Sequence, residues 1–84
     1  MQEFLKFVLP LLIDFPDEAV LTKHESGKRT TFHVRMRQSD VGKVIGKHGL
    51  TIIAIRNLLN AAASRHGERA QFEIDEEQGP HAQG

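Results

Sequence analysis

The stretch SDVGKVIGKHGLTI, Ser39 to Ile52, decides how this chain folds. Gly46 and Gly49 stand three apart in it, with Lys47 and His48 between them and apolar residues on both sides. Glycine in a helix interior is about 1 kcal/mol worse than alanine, so two of them this close end a helix rather than continue it. They supply the backbone freedom that a tight turn needs. The stretch therefore reads as two helices joined by a short corner, GKHG. Ser39 or Asp40 is placed to cap the first helix, Val41–Ile45. The second runs from Leu50 to His66, and Gly67 is its C-cap.

Outward from that corner the period changes from helix to strand. In Arg29–Arg37, residues Thr30, Phe32, Val34 and Met36 point one way. Arg29, Thr31, His33, Arg35 and Arg37 point the other, the pattern of a strand with one face on a core and one in water. ESGK, Glu25 to Lys28, is a hairpin turn in which Gly27 is available for positive φ, and Val20–Glu25 is the strand before it. Arg69–Asp75 alternates again, with Ala70, Phe72 and Ile74 inward and Gln71, Glu73 and Asp75 outward. Near the N-terminus, Gln2–Ile13 carries Phe4, Leu5, Val8, Leu11 and Leu12 at helical spacing. Pro10 removes a hydrogen bond and clashes one turn back, which predicts a kink there or a helix in two short pieces. Phe15 before Pro16 is pushed out of helical geometry and ends the element. Residues 76–84, EEQGPHAQG, lack apolar periodicity and are expected to be a disordered tail.

The order helix, strand, strand, helix, helix, strand defines one α+β domain over residues 1–75. A three-stranded mixed sheet with the helices on one face buries every apolar stripe. The first two strands form the hairpin, and the third, reached by a helical crossover, runs parallel to the second. The outward Arg and His residues of the middle strand then face Glu73 and Asp75. Such cross-strand pairs contribute roughly 0.2–1 kcal/mol each, which gives those charges a structural explanation.

The 84 residues suffice for one small domain. Eleven basic and 11 acidic residues cancel, which excludes coating a polyanion by bulk charge but leaves room for a local patch. The chain has no cysteine, so no disulfide or thiolate metal site is possible. His24, His33, His66 and His81 lack metal-ligand spacing, and neither a metal nor a cofactor is expected. Ser26, Ser39 and Ser64 read as a turn, a cap and a helix surface. No carboxylate pair stands with a base or nucleophile, so no catalytic site is expected. The most apolar run, Phe4–Phe15, contains Lys6, Pro10 and Asp14 and falls far short of the ~20 apolar residues of a membrane span. It has no small-residue cleavage site either, and a cytoplasmic location is expected.

VIGKHGLTI, Val44 to Ile52, resembles the I-G-x-x-G-x-x-I core of a KH domain. The element order is similar to the type II, bacterial, KH topology, and the resemblance covers about Gln2 to Asp75. With so little outside it, the chain looks like the free-standing small bacterial KH-domain RNA-binding proteins of the KhpA type. KH domains clamp the backbone of about four nucleotides with this loop. The resemblance implies Gly46, Lys47, His48 and Gly49 as the phosphate clamp; the local charge adds Lys43 and Arg56 as flanking basic residues, with solvated surface charge as the alternative for each. It implies an apolar groove for splayed bases bordered by Ile45, Ile52 and the middle strand. The absent glycine side chains let a phosphate approach, the second helix turns its N-terminal N–H groups and positive dipole end toward it, and Lys47 adds a point charge. Charge distribution supports this. Between Arg35 and Arg56 stand Arg35, Arg37, Lys43, Lys47 and Arg56 against the single acid Asp40, the electrostatic footprint of a nucleic-acid contact.

The family often carries further basic residues just after the second glycine, where this chain has Leu50, Thr51 and Ile53. Fewer phosphate contacts imply modest affinity for single-stranded RNA with a shallow salt dependence. The resemblance also implies an RNA chaperone or post-transcriptional regulator, linked in some bacteria to cell shape and division. It implies a homodimer or a heterodimer with a larger KH-containing protein of the KhpB or Jag type. The alternative is a protein-interaction subunit of a KH–KH complex with little RNA affinity of its own. The helix Leu50–His66 bears on that choice. Its polar face is Arg56, Asn57, Asn60 and Ser64, with Ile53 in the middle of it. Leu50, Ala54, Leu58, Ala61 and Ala62 widen the apolar stripe beyond the need of one small core. Either a partner or the N-terminal helix covers the surplus.

Overall fold

The computed structural model describes residues 1–75. The expected tail, residues 76–84, lies outside them. The elements are α1 (Gln2–Leu12), β1 (Val20–Ser26), β2 (Arg29–Arg35), α2 (Gln38–Ile45), α3 (Leu50–Ser64) and β3 (Arg69–Asp75). Two single turns of 3₁₀ helix, Pro16–Glu18 and Lys47–Gly49, join α1 to β1 and α2 to α3. The sheet order is β1-β2-β3. β1 and β2 are antiparallel, from Val20 opposite Arg35 to Ser26 opposite Arg29. β2 and β3 are parallel, from Arg29 beside Arg69 to Arg35 beside Asp75. This is the mixed sheet and α-β-β-α-α-β order that the alternation and the glycine corner predict.

The inward residues of the strands are the ones that reach the core. Phe32, Val34 and Met36 from the β2 segment and Ala70 and Phe72 from β3 are buried against Leu5 and Leu9 of α1, Val44 of α2, and Ile55 and Leu59 of α3. Each such large side chain contributes about 1.5–3 kcal/mol on burial. On the outer face, His33 Nδ1 lies 3.4 Å from Asp75 Oδ1 and 3.7 Å from Glu73 Oε1. The expected cross-strand neighbours are in place.

Several local expectations are corrected. α1 runs unbroken through Pro10 rather than in two pieces. Pro10 sits in the last turn on the exposed side, so the hydrogen bond it denies belongs to the solvent-facing carbonyl of Lys6. β2 ends at Arg35, two residues early, although Met36 stays buried. α2 starts at Gln38, earlier than Val41, and its N-cap is Arg37, with no capping side chain. Neither Ser39 nor Asp40 caps it because Asp40 turns inward. Its carboxylate is fully buried and accepts hydrogen bonds from the Asp14 and Phe15 N–H groups, both at 3.0 Å. The acid that local sequence assigns to a cap instead ties the end of α1 to the first turn of α2. α3 stops at Ser64, two residues before the expected end, and Gly67 closes it at φ 71. There the Glu68 N–H donates to the Ala63 carbonyl and the Gly67 N–H to that of Ser64, at 3.0 and 3.1 Å, a Schellman pair.

Candidate nucleic-acid interface

The corner between α2 and α3 is built by three residues with positive φ. Gly46 has φ 80 and ψ 172, His48 has φ 57 and ψ 21, and Gly49 has φ 74 and ψ 12. The Gly46 combination belongs to a region that is essentially glycine-only. Gly46 is also crowded: a Cβ there would lie 2.6 Å from Thr51 Cβ and 2.9 Å from the Thr51 nitrogen. A Cβ at Gly49 would meet nothing within 4 Å. The first glycine therefore closes the corner against α3, and the second leaves open space at its rim. His48 is the one non-glycine residue with positive φ among the described residues, and histidine enters that region more readily than most side chains.

The Gly46 N–H donates to the Gly42 carbonyl and the Gly49 N–H to the Gly46 carbonyl, at 2.9 and 3.1 Å. No side chain caps α3, so its first-turn N–H groups and positive dipole end lie at the corner. Lys47 and His48 are exposed and form no side-chain hydrogen bond or ion pair among the described residues. The corner thus offers open backbone, a helix N-terminus and two side chains able to meet an anion.

The other residues expected at the site divide. Ile45 is about a third exposed at the end of α2, whereas Ile52 is buried in the core behind the loop. Lys43 Nζ lies 3.4 Å from Asp14 Oδ2 and 4.0 Å from Asp40 Oδ1, and donates to the Ser39 carbonyl at 3.4 Å. Arg37 makes two hydrogen bonds to Glu18, at 3.0 and 2.7 Å, with its guanidinium 3.8 Å above the Phe15 ring. That contact holds the Glu18 carboxyl below its ordinary value and raises the Arg37 guanidinium. Two of the five basic residues counted around the corner are therefore engaged with acids distant in sequence. The electrostatic footprint is narrower than the sequence suggests.

Arg56 reaches the sheet, where Nε donates to the Phe72 carbonyl at 3.1 Å. Asn60, one turn on, accepts from the Ala70 N–H through Oδ1 at 3.1 Å. These contacts place a groove between α3 and the outer edge of β3. The middle strand reaches this groove only through its first residue, Arg29, because β2 otherwise lies between β1 and β3 and has no open edge. Asn60 was legible only as part of the polar face of its helix. Its pairing with β3 depends on how the crossover packs.

The mixed sheet, the α-β-β-α-α-β order and the G-x-x-G corner define a type II KH domain. The family model described as KhpA/KhpB, KH domain, matches residues 2–74. The RNA-binding protein KhpA of Borreliella burgdorferi is 43% identical over 72 residues, covering 86% of this chain and 88% of its own. That of Chlamydia pneumoniae is 39% identical over 77 residues, covering 92% and 99%. That of Listeria monocytogenes is 33% identical over 76 residues, covering 90% and 100%. No solved structure matches the chain. The chain belongs to the KhpA/KhpB KH-domain family. This family is a non-enzymatic class. No helix among the described residues is long and apolar enough to cross a membrane.

Proposed function

We propose that this protein binds single-stranded RNA by clamping its sugar-phosphate backbone at Gly46–Gly49. The observation that carries the reading is the corner itself. Open space at Gly49, unpartnered Lys47 and His48, and the N-terminus of α3 converge on one point. The relatives named RNA-binding protein KhpA support it. Lys47 and His48 meet phosphate, Arg56 flanks the groove, and Ile45 offers apolar surface at its rim. Lys43 and Ile52 act indirectly, through α2 and the core. With few phosphate contacts, binding is modest, sequence-tolerant and shallow in its salt dependence, which suits an RNA chaperone or post-transcriptional regulator in the cytoplasm. A connection to cell shape and division rests on family resemblance alone.

A second reading, that the domain is mainly a protein-interaction subunit, has its own observation. Leu50, Ile53 and Leu58 of α3 and Phe7 and Leu11 of α1 are exposed, Phe7 by 71%. α1 does not cover the surplus apolar face of α3, which leaves it to a second copy or a larger KH-containing partner. The two readings separate in one experiment. A fluorescent single-stranded RNA is titrated with wild type and with a Lys47→Asp, His48→Asp double variant across a salt series. Aspartate accepts the left-handed backbone at position 48, so the variant folds. Loss of binding in the variant supports the clamp. Equal binding by both proteins, or none by wild type at micromolar concentration, sinks it and leaves the interaction subunit.

A further inference from the structure

The end of the sheet remote from the corner carries a cationic cluster that the clamp does not use. Arg29 and Arg69 are direct neighbours in the parallel register of β2 and β3. Both are exposed and point outward with the odd-numbered residues of their strands. Lys28 precedes Arg29 in the hairpin turn, and its carbonyl accepts from the Arg69 N–H at 2.8 Å, which brings the turn against the start of β3. Like charges side by side on adjacent strands are destabilising. Here none of the three forms an ion pair among the described residues. Glu73, the acid lining the same groove, is turned to His33, and Glu68 forms no ion pair with either arginine. An arrangement of this kind is relieved by an anion.

Position argues for which anion. Arg29 and Arg69 line an open groove of about 420 Å³ that continues past Arg56, Asn60 and Phe72 along the outer edge of β3. A second opening, bordered by Ser26, Lys28, Arg29, Gly67 and Arg69, adjoins it. α3 runs back along β3 from the GKHG corner, as the Arg56–Phe72 and Asn60–Ala70 contacts fix. Arg69 to Asp75 is six residues of strand, about 20 Å. The cluster therefore sits about that far from the clamp, at the opposite end of the α3–β3 packing. A chain of phosphates spans such a distance, and a single small anion does not.

We propose that Lys28, Arg29 and Arg69 form a second phosphate-contacting site, so that bound RNA runs from the GKHG corner through the α3–β3 groove to this end of the sheet. The site rests on the RNA-binding reading above and extends its footprint beyond the roughly four nucleotides that a KH loop holds.

The test uses labelled oligouridylates of about five and twelve nucleotides, titrated across a salt series with three proteins. These are wild type, an Arg29→Gln, Arg69→Gln variant and the Lys47→Asp, His48→Asp variant. Wild type is expected to bind the longer RNA more tightly. The arginine variant is expected to keep its affinity for the short RNA and lose the gain on the long one. Its slope of log affinity against log salt should fall by roughly 1.4, at about 0.7 per phosphate contact on single strands. Retained short-RNA binding and a melting temperature at or above wild type, as relief of like-charge repulsion requires, show that the variant is folded. Unchanged affinity and slope on the long RNA overturn the second site while leaving the clamp intact. Unchanged short-RNA binding by the Lys47, His48 variant overturns the clamp instead, and no binding by wild type overturns both.

Discussion

At Gly46 two requirements coincide, a backbone conformation that only glycine tolerates and a Cβ position occupied by Thr51. At Gly49 the backbone is left-handed, a region other residues enter at a cost, as His48 does, and the space beside it is open. The two glycines of one motif are therefore not equivalent. Gly46→Ala is expected to lower stability by about 3 kcal/mol, from strained φ/ψ and overlap together. Gly49→Ala is expected to lower it by about 1 kcal/mol, from φ alone. Urea unfolding of both variants checks the difference, and equal losses would remove the crowding at Thr51 as its cause. The pair was legible in the sequence because glycine at that spacing has few other uses. The roles of Arg37, Asp40 and Lys43 were not. Local rules made them a surface charge, a cap and a phosphate contact. Their partners Glu18, Asp14 and Phe15 stand 19 to 29 positions away and meet them only in the folded chain.

Among the elements, α1 departs furthest from its local forecast. Proline in a helix interior is unfavourable by about 3 kcal/mol, yet α1 continues through Pro10 because Leu5 and Leu9 are anchored in the core. Tertiary burial outweighs a penalty reduced by the position of Pro10 in the final, exposed turn. Pro10→Ala restores an N–H for the Lys6 carbonyl, partly offset by the freer unfolded chain. The variant is expected to gain about 1 kcal/mol and roughly 4–8 °C in Tm. A loss of stability on thermal unfolding would mean that the ring packs against something its exposure conceals. The strands were read closely because period-two alternation survives packing. Their ends were not, since Met36 keeps its inward position after the β2 ladder has stopped.

The whole molecule balances 11 basic against 11 acidic residues, but it does not spread them evenly. Arg37 and Glu18 pair outside the binding groove, and their hydrogen bond depresses the carboxyl below its ordinary value of 4.5. A carboxyl lowered in the folded state adds stability that is fully present above the unfolded value and lost as pH falls through the folded one. Acidification below about 4.5 should therefore lower the Tm of wild type more than that of a Glu18→Gln variant. Parallel Tm–pH curves for the two would show that the pair is screened into irrelevance, as many exposed pairs are. The net zero charge, legible from composition alone, argues against a bulk polycation. It could not show that Arg29 and Arg69 are neighbours, because that depends on a parallel register joining positions 40 residues apart.

That register also sets when the molecule becomes complete. The β1–β2 hairpin closes over a two-residue loop, Gly27 and Lys28, and can form early, whereas β3 pairs only with a strand made 40 residues before it. Closing so long a loop is slow and entropically unfavourable until the contacts are made. During synthesis β3 emerges after every other described element, so the wall of the groove opposite α3 is the last part to be laid down. A nascent chain carries the GKHG corner before it carries the track that leads away from it, and full-length engagement with a strand belongs to the finished molecule.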